Sequence, residues 1–232
     1  MTGLWPPPDG RRIPLWLKLA YTGFVLVFVP CYWQTYGPTN FLFLCDVALF
    51  MGLVAIWLES PLLASAPAVG ILIPQVVWIA DFTAELVGLR LTGLTGYMFN
   101  TAIPLHTRAL SLFHGWLPVL LVWLVARLGY HRRAWLLWTA VAWVILTICY
   151  CCFPPPPAPP EAPHKPVNVN YVYGFSQQQP QTWVPQWLYF AAVMAGLPLV
   201  VVLPAHMVLT WLFASRELRC AEPATTTSTP GD

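Results

Sequence analysis

Charged residues are scarce in this chain of 232 residues. Asp, Glu, Lys and Arg together make up 9% of it, against roughly 25% in an average soluble domain. So few charges cannot clothe a water-facing globule, which excludes a soluble enzyme and an intrinsically disordered chain. The formal net charge is only +2, too small a field to attract a polyanion, so no nucleic-acid partner is expected. The sequence also lacks a phosphate-cradling glycine loop, a His-Glu-x-x-His helix, a Gly-x-Ser-x-Gly elbow and any internal repeat. Apolar residues are abundant. They make up 58% of the chain, and the mean hydropathy is +0.63.

A membrane-crossing helix needs about 20 mostly apolar residues, and six runs qualify, near residues 13–33, 40–58, 62–81, 109–130, 134–152 and 187–214. Pro30, Pro74, Pro118, Pro198 and Pro204 fall inside them and are read as kinks, because membrane helices re-satisfy the backbone groups that proline frees. The ten-residue alternating segments of a β-barrel are absent from the pattern. The expected fold is therefore an all-α polytopic bundle of six transmembrane helices. It comprises an N-terminal segment (1–12), a membrane domain (13–214) and a disordered tail (215–232). The first run is longer than a signal core and no small-residue cleavage pattern follows it, so an uncleaved first span is expected.

Orientation follows from the basic residues. With the N-terminus inside, Arg11, Arg12, Lys18, Arg127, Arg132, Arg133, Arg216 and Arg219 fall on the cytoplasmic side, against Arg90, Arg108 and Lys165 outside. Positive charge concentrates in cytoplasmic segments, so both termini are predicted cytoplasmic. A bacterial inner membrane is the expected location.

Two outer connections are long. Residues 82–108 hold Glu85, Arg90, Asn100 and His106 among apolar residues, a pattern that would allow partial return into the membrane. Residues 153–186 open with eight prolines between Pro154 and Pro166, which favours extended polyproline II. The segment Val167-Asn168-Val169-Asn170-Tyr171-Val172-Tyr173 alternates apolar and polar residues and is expected to form an ordered lid.

Ionisable or reactive groups within membrane spans are costly and mark function by default. The orientation places Cys45 and Asp46 five and six residues into the second span, about 7–9 Å deep at 1.5 Å per residue. His114 lies at similar depth in the fourth, and Asp81 ends the third on the same side. Asn170, Tyr171 and Tyr173 face that side too. A thiol, an imidazole, two carboxylates and an amide–phenol loop thus share one layer near the outer interface, where lipid ester groups lie. In that arrangement Cys45 would be a nucleophile, His114 its base, Asp81 or Asp46 the orienter, and Asn170 or a tyrosine hydroxyl the oxyanion donor.

Each residue also has a structural reading. Cys45 is a small hydrophobe, His114 and Asp46 are hydrogen-bonding links between helices, Asp81 is a solvated helix end, and the tyrosines belong to the interfacial belt. His206, deep in the last span toward the cytoplasmic side, reads as a structural hydrogen bond. Cys31, Cys149, Cys151 and Cys152 gather at the outer ends of two spans, where an oxidising face would permit a disulfide. Their spacing matches no metal signature, so neither a metal nor another cofactor is expected.

Three of these segments carry a resemblance. Leu42-Phe43-Leu44-Cys45-Asp46 resembles the Leu-His-Leu-Cys-Asn segment of the YwaF-like integral membrane family, which includes the transmembrane protein 164 group of lipid acyltransferases. Ser111-Leu112-Phe113-His114-Gly115 resembles that family's Ser-His-Gly segment, and Asn170-Tyr171-Val172-Tyr173 its Asn-Tyr-Met-Tyr loop. A fainter similarity, in Gln34-Thr35-Tyr36-Gly37, Phe41-Leu42 and Asp46, is to the androgen-induced intramembrane lipid-ester hydrolases. The first resemblance implies Cys45 as acyl acceptor and His114 as base, with membrane lipids as substrate. This chain departs from that pattern at Phe43, where the family has His, and at Asp46, where it has Asn. The alternative is a non-catalytic membrane protein, either a small transporter or a scaffold subunit, whose polar layer binds a ligand or partner.

Overall fold

The computed structural model describes residues 13–160 and 165–220, with side chains described as far as residue 213. The N-terminal segment 1–12 and the end of the tail, 221–232, lie outside the described residues. Helices and short helical turns account for all the regular structure, and there is no strand among the described residues. In chain order the α-helices are α1 (Leu15–Tyr36), α2 (Leu44–Leu58), α3 (Pro61–Leu86), α4 (Leu105–Leu110), α5 (Phe113–Leu128), α6 (Ala134–Cys152), α7 (Gln186–Gly196) and α8 (Leu203–Cys220). Five stretches are long and apolar enough to cross a membrane, namely α1, α3, α4–α5, α6 and Gln186–Phe213. Large apolar side chains on their outer faces point away from the protein, Leu26, Val119 and Trp211 being 70%, 69% and 76% exposed. Such a girdle is tolerable only against lipid. The chain is a helical integral membrane protein.

The second span is shorter than the sequence pattern indicates. Pro38 opens a 3₁₀ turn, Pro38–Leu42, and Phe43 is extended, so α2 begins only at Leu44 and has 15 residues. At 1.5 Å per residue it is about 22 Å long, less than the roughly 30 Å hydrocarbon core. Cys45 and Asp46 consequently sit in its first turn and not a turn and a half down a span. The third helix is longer than 62–81: Ser60 accepts from the Leu63 amide, Pro61 takes the first helical position, and the helix runs on past Asp81 to Leu86. Pro30, Pro74 and Pro118 lie within continuous helices. At Pro198 the last span widens into a π-helical stretch, Leu197–Val202, between α7 and α8. A missing amide there shifts the hydrogen-bond ladder by one residue.

Helix α3 is the axis of the bundle and packs against α2, α5, α6 and α8. Its stretch from Ala64 to Gly70 is built of small residues and wholly buried, which lets neighbouring backbones approach closely. At Gly70 the approach is closest. A Cβ there would stand 1.8 Å from Cε2 of Trp138 on α6, and Trp138 is itself fully buried. Along α1, Tyr21, Val25, Phe28, Tyr32 and Tyr36 recur at helical spacing and form its buried face.

Polar links divide the bundle into two ends. At the end holding the start of α1, Lys18 pairs with Glu59 at 2.7 Å, the His131 amide donates to Ser65 Oγ, and Tyr130 Oη meets His206 Nδ1 at 2.6 Å. His206 therefore has the helix-linking bond expected of it. At the opposite end, Thr35 meets Thr107 and Tyr32 meets Ser111. This second end carries the candidate site.

Candidate functional site

All seven residues singled out in the sequence lie at that one end, carried by α2, α3, α5 and the loop before α7. Their immediate partners give them different roles.

An α-helix leaves its first amides without intrahelical acceptors. For α2 the capping position is Phe43, which has no acceptor in its side chain. The acceptor comes from elsewhere: Asn170 Oδ1 takes the Leu44 amide at 2.9 Å. The same carboxamide donates to the Leu42 carbonyl at 2.8 Å and toward Cys149 Sγ at 3.7 Å. Asn170 thus ties the loop to α2 and α6, and its donors are engaged with protein. This corrects the expectation that Asn170 serves as an oxyanion donor. Its φ of 56° is a left-handed conformation that asparagine tolerates, and Tyr171 beside it, at 58°, is a rarer case.

The loop is ordered, as a compact turn and not as a strand. Asn168 is fully buried. It accepts from the Tyr173 amide and donates to the Gly174 and Ser176 carbonyls. The Tyr173 hydroxyl donates to the carbonyls of Tyr150 and Phe153, at 2.7 and 2.8 Å, and so closes the end of α6. Burial pushes its pKa above the usual phenol value. The Tyr171 hydroxyl is pushed up to about 12 by burial, with Cys45 and Asp81 adding to the effect. Tyr171 is the member of the loop that shares its surroundings with the candidate nucleophile.

Asp81 is 1% exposed and collects the loop that follows α3. Oδ1 accepts from the amides of Thr92 and Gly93, and Oδ2 from the Thr95 amide and hydroxyl, all between 2.7 and 3.1 Å. Four donors fill its carboxylate. The imidazole of His114, in the first turn of α5, is held by a carbonyl instead: Nδ1 lies 2.7 Å from Ser111 O. Neither Asp81 nor Asp46 takes the orienting position assigned to a carboxylate, because the break between α4 and α5 at Ser111-Leu112 turns a backbone oxygen toward the ring. A carbonyl only accepts, so Nδ1 carries the proton and Nε2 holds the lone pair.

Asp46 is 1% exposed and accepts from Asn40 Nδ2 at 2.7 Å. The neighbouring Cys45 thiol points toward Asp46 Oδ1 at 4.0 Å. Around these groups the fold gathers residues that sequence reading passed over. Trp78 lies flat on His114, ring centroids 4.7 Å apart. Tyr32 bonds Ser111 Oγ and packs edge-on against Tyr36. The hydroxyl of Tyr97 has its ionisation pushed up, by burial first, with Ser111 and the nearby Trp78 indole opposing the effect and Cys45 and Tyr36 adding to it. The one sequence signal for these residues is the aromatic stripe of α1, which ends in Tyr32 and Tyr36.

The described cysteines Cys31, Cys45, Cys149, Cys151 and Cys152 are free thiols. No group of three or more metal-ligating side chains occurs among the described residues. Comparison with protein-family models, curated proteins and solved structures gives no match for this chain.

Proposed function

We propose that this protein is a membrane enzyme acting on lipid acyl esters, by transfer or hydrolysis, with Cys45 as nucleophile and His114 as base, in a bacterial inner membrane. The observation that carries this reading is the Nδ1–Ser111 O contact of 2.7 Å. It leaves Nε2 as the basic nitrogen of a neutral imidazole, at the same end of the bundle as the only thiol set beside a buried carboxylate among the described residues. The similarity of three short segments to the YwaF-like acyltransferases supports the same assignment. In the reaction, Nε2 takes the thiol proton as Sγ attacks the ester carbonyl. The tetrahedral adduct collapses to a thioester, and the lipid alkoxide leaves with the proton from Nε2. Water or a second lipid alcohol then releases the acyl group.

The test is acylation of the detergent-purified protein by a medium-chain p-nitrophenyl ester, followed by intact mass and peptide mapping. The expected result is a thioester on Cys45 that disappears in Cys45→Ala and slows by roughly 10²–10⁴-fold in His114→Ala.

A second reading, a non-catalytic protein that binds a ligand or partner, draws on the full engagement of Asp81 and Asn170 in holding loops. It expects Cys45 to stay unmodified while the exposed Cys151 and Cys152 react.

A further inference from the structure

At the candidate end of the bundle, two buried donors have no partner in the protein. Tyr36 Oη and Trp78 Nε1 make no hydrogen bond, although each residue is 92% buried, with relative exposure of 8%. Gln75 Oε1, one turn before Trp78 on α3, is a buried acceptor that is also unpartnered, while other polar groups at this end are closely satisfied. Asp81 receives four donors, Asn168 three bonds through its side chain, and Tyr173 bonds two carbonyls with one hydroxyl. A buried polar group left unpaired is costly, so two at one end of the bundle call for an explanation.

Their placement supplies one. Tyr36 packs against Tyr32 with centroids 5.2 Å apart, and Tyr32 bonds the hydroxyl of Ser111. The carbonyl of Ser111 holds His114, and Trp78 lies on the other side of that imidazole. Trp78 therefore lies against the base itself, and Tyr36 lies one helical turn along α1 from the residue bonded to the turn that carries it. Tyr97 sits among them, close to Tyr36, Cys45, Ser111 and Trp78, without hydrogen-bond geometry to the indole nitrogen. An indole N–H only donates, and a phenol without other partners is free to donate. One carbonyl oxygen, with two lone pairs, can accept from two such donors.

We propose that Tyr36 Oη and Trp78 Nε1 form the oxyanion site of this protein, receiving the carbonyl oxygen of a lipid ester. The inference rests on the acyl-transfer reading above and names the donors that Asn170 does not supply. As the Sγ–C bond forms, the π pair of the carbonyl moves onto that oxygen, where the two N–H and O–H groups hold it. As the adduct collapses, the pair returns, the C–O bond to the lipid alcohol breaks, and the leaving oxygen takes the proton from His114 Nε2. No oxidant, reductant or metal enters the balance.

The experiment measures acylation by the p-nitrophenyl ester in wild type, Tyr36→Phe and Trp78→Phe, together with thermal unfolding in detergent. For each variant the rate constant for Cys45 acylation is expected to fall roughly a hundredfold. The ester concentration at half saturation should stay unchanged, since the bonds strengthen only in the transition state. The Tyr36→Phe protein should unfold at the same or a higher temperature, because the hydroxyl removed had no partner. Acylation of Tyr36→Phe at the wild-type rate would overturn the proposal, as would a loss of rate matched by a lower unfolding temperature. A wild-type protein whose Cys45 takes no acyl group defeats the acyl reading itself, a result distinguishable from either of those.

Discussion

Asn170 caps a helix that begins 126 residues before it. Its Oδ1 accepts the first amide of α2, from Leu44, at 2.9 Å, and its Nδ2 returns a bond to Leu42 O at 2.8 Å. The 153–186 loop is thereby fastened to the helix that carries Cys45 and Asp46, and the position of the thiol depends on it.

Replacing Asn170 by glycine keeps the left-handed backbone and removes the carboxamide. The expected loss is about 1–3 kcal/mol, read as a lower unfolding temperature in detergent. Asn170→Ala should lose more, since alanine also strains φ at 56°. An Asn170→Gly protein as stable as wild type would show that the loop holds without this cap.

Asp81 bears on the loop that follows α3. Asp81→Asn leaves one oxygen able to accept and turns the other into a donor facing the Thr95 amide or the Thr92 and Gly93 amides. Loosening of the 87–104 connection should follow, seen as faster proteolysis there, while α3 itself stays protected. Unchanged cleavage would mean that Thr95 and its bond to Glu85 suffice.

Helix contact is tested at Gly70. A methyl group at that position would meet Trp138 Cε2 at 1.8 Å and Nε1 at 1.9 Å, so Gly70→Ala forces α3 and α6 apart. The cost is about 1–3 kcal/mol or more. Pairing Gly70→Ala with Trp138→Leu should recover part of it, and additive losses from the two substitutions would argue against a direct clash.

The membrane orientation has its own probe. Cys151 and Cys152 are exposed at the end of α6, while Cys149 is buried. In right-side-out vesicles a membrane-impermeant maleimide should modify Cys151 and Cys152 and spare Cys149. Labelling of the pair only in inverted vesicles would reverse the orientation drawn from the basic residues.

Much of this protein was legible before any coordinates. A chain with so few charges and such long apolar runs must be a helical membrane protein, because the helix is the element that satisfies every backbone group within one segment. The cost of burying Cys45, Asp46, Asp81 and His114 also marked them as a set, and the alternation of spans placed them at one end. The start of α2 was not legible, since it turns on Pro38 and an extended Phe43 against an otherwise unbroken apolar run. Nor were the roles within the site. Whether a buried carboxylate or amide orients a base or holds a loop depends on which donors the fold brings within 3 Å. For Asp81 those are amides 11 to 14 residues away, and for Asn170 they come from across the bundle. The unpartnered donors of Tyr36 and Trp78 belong to the same class of fact. Hydropathy sees two aromatic side chains in spans, and only the packing of α1, α3 and α5 around Ser111 and His114 decides that their polar atoms stay free.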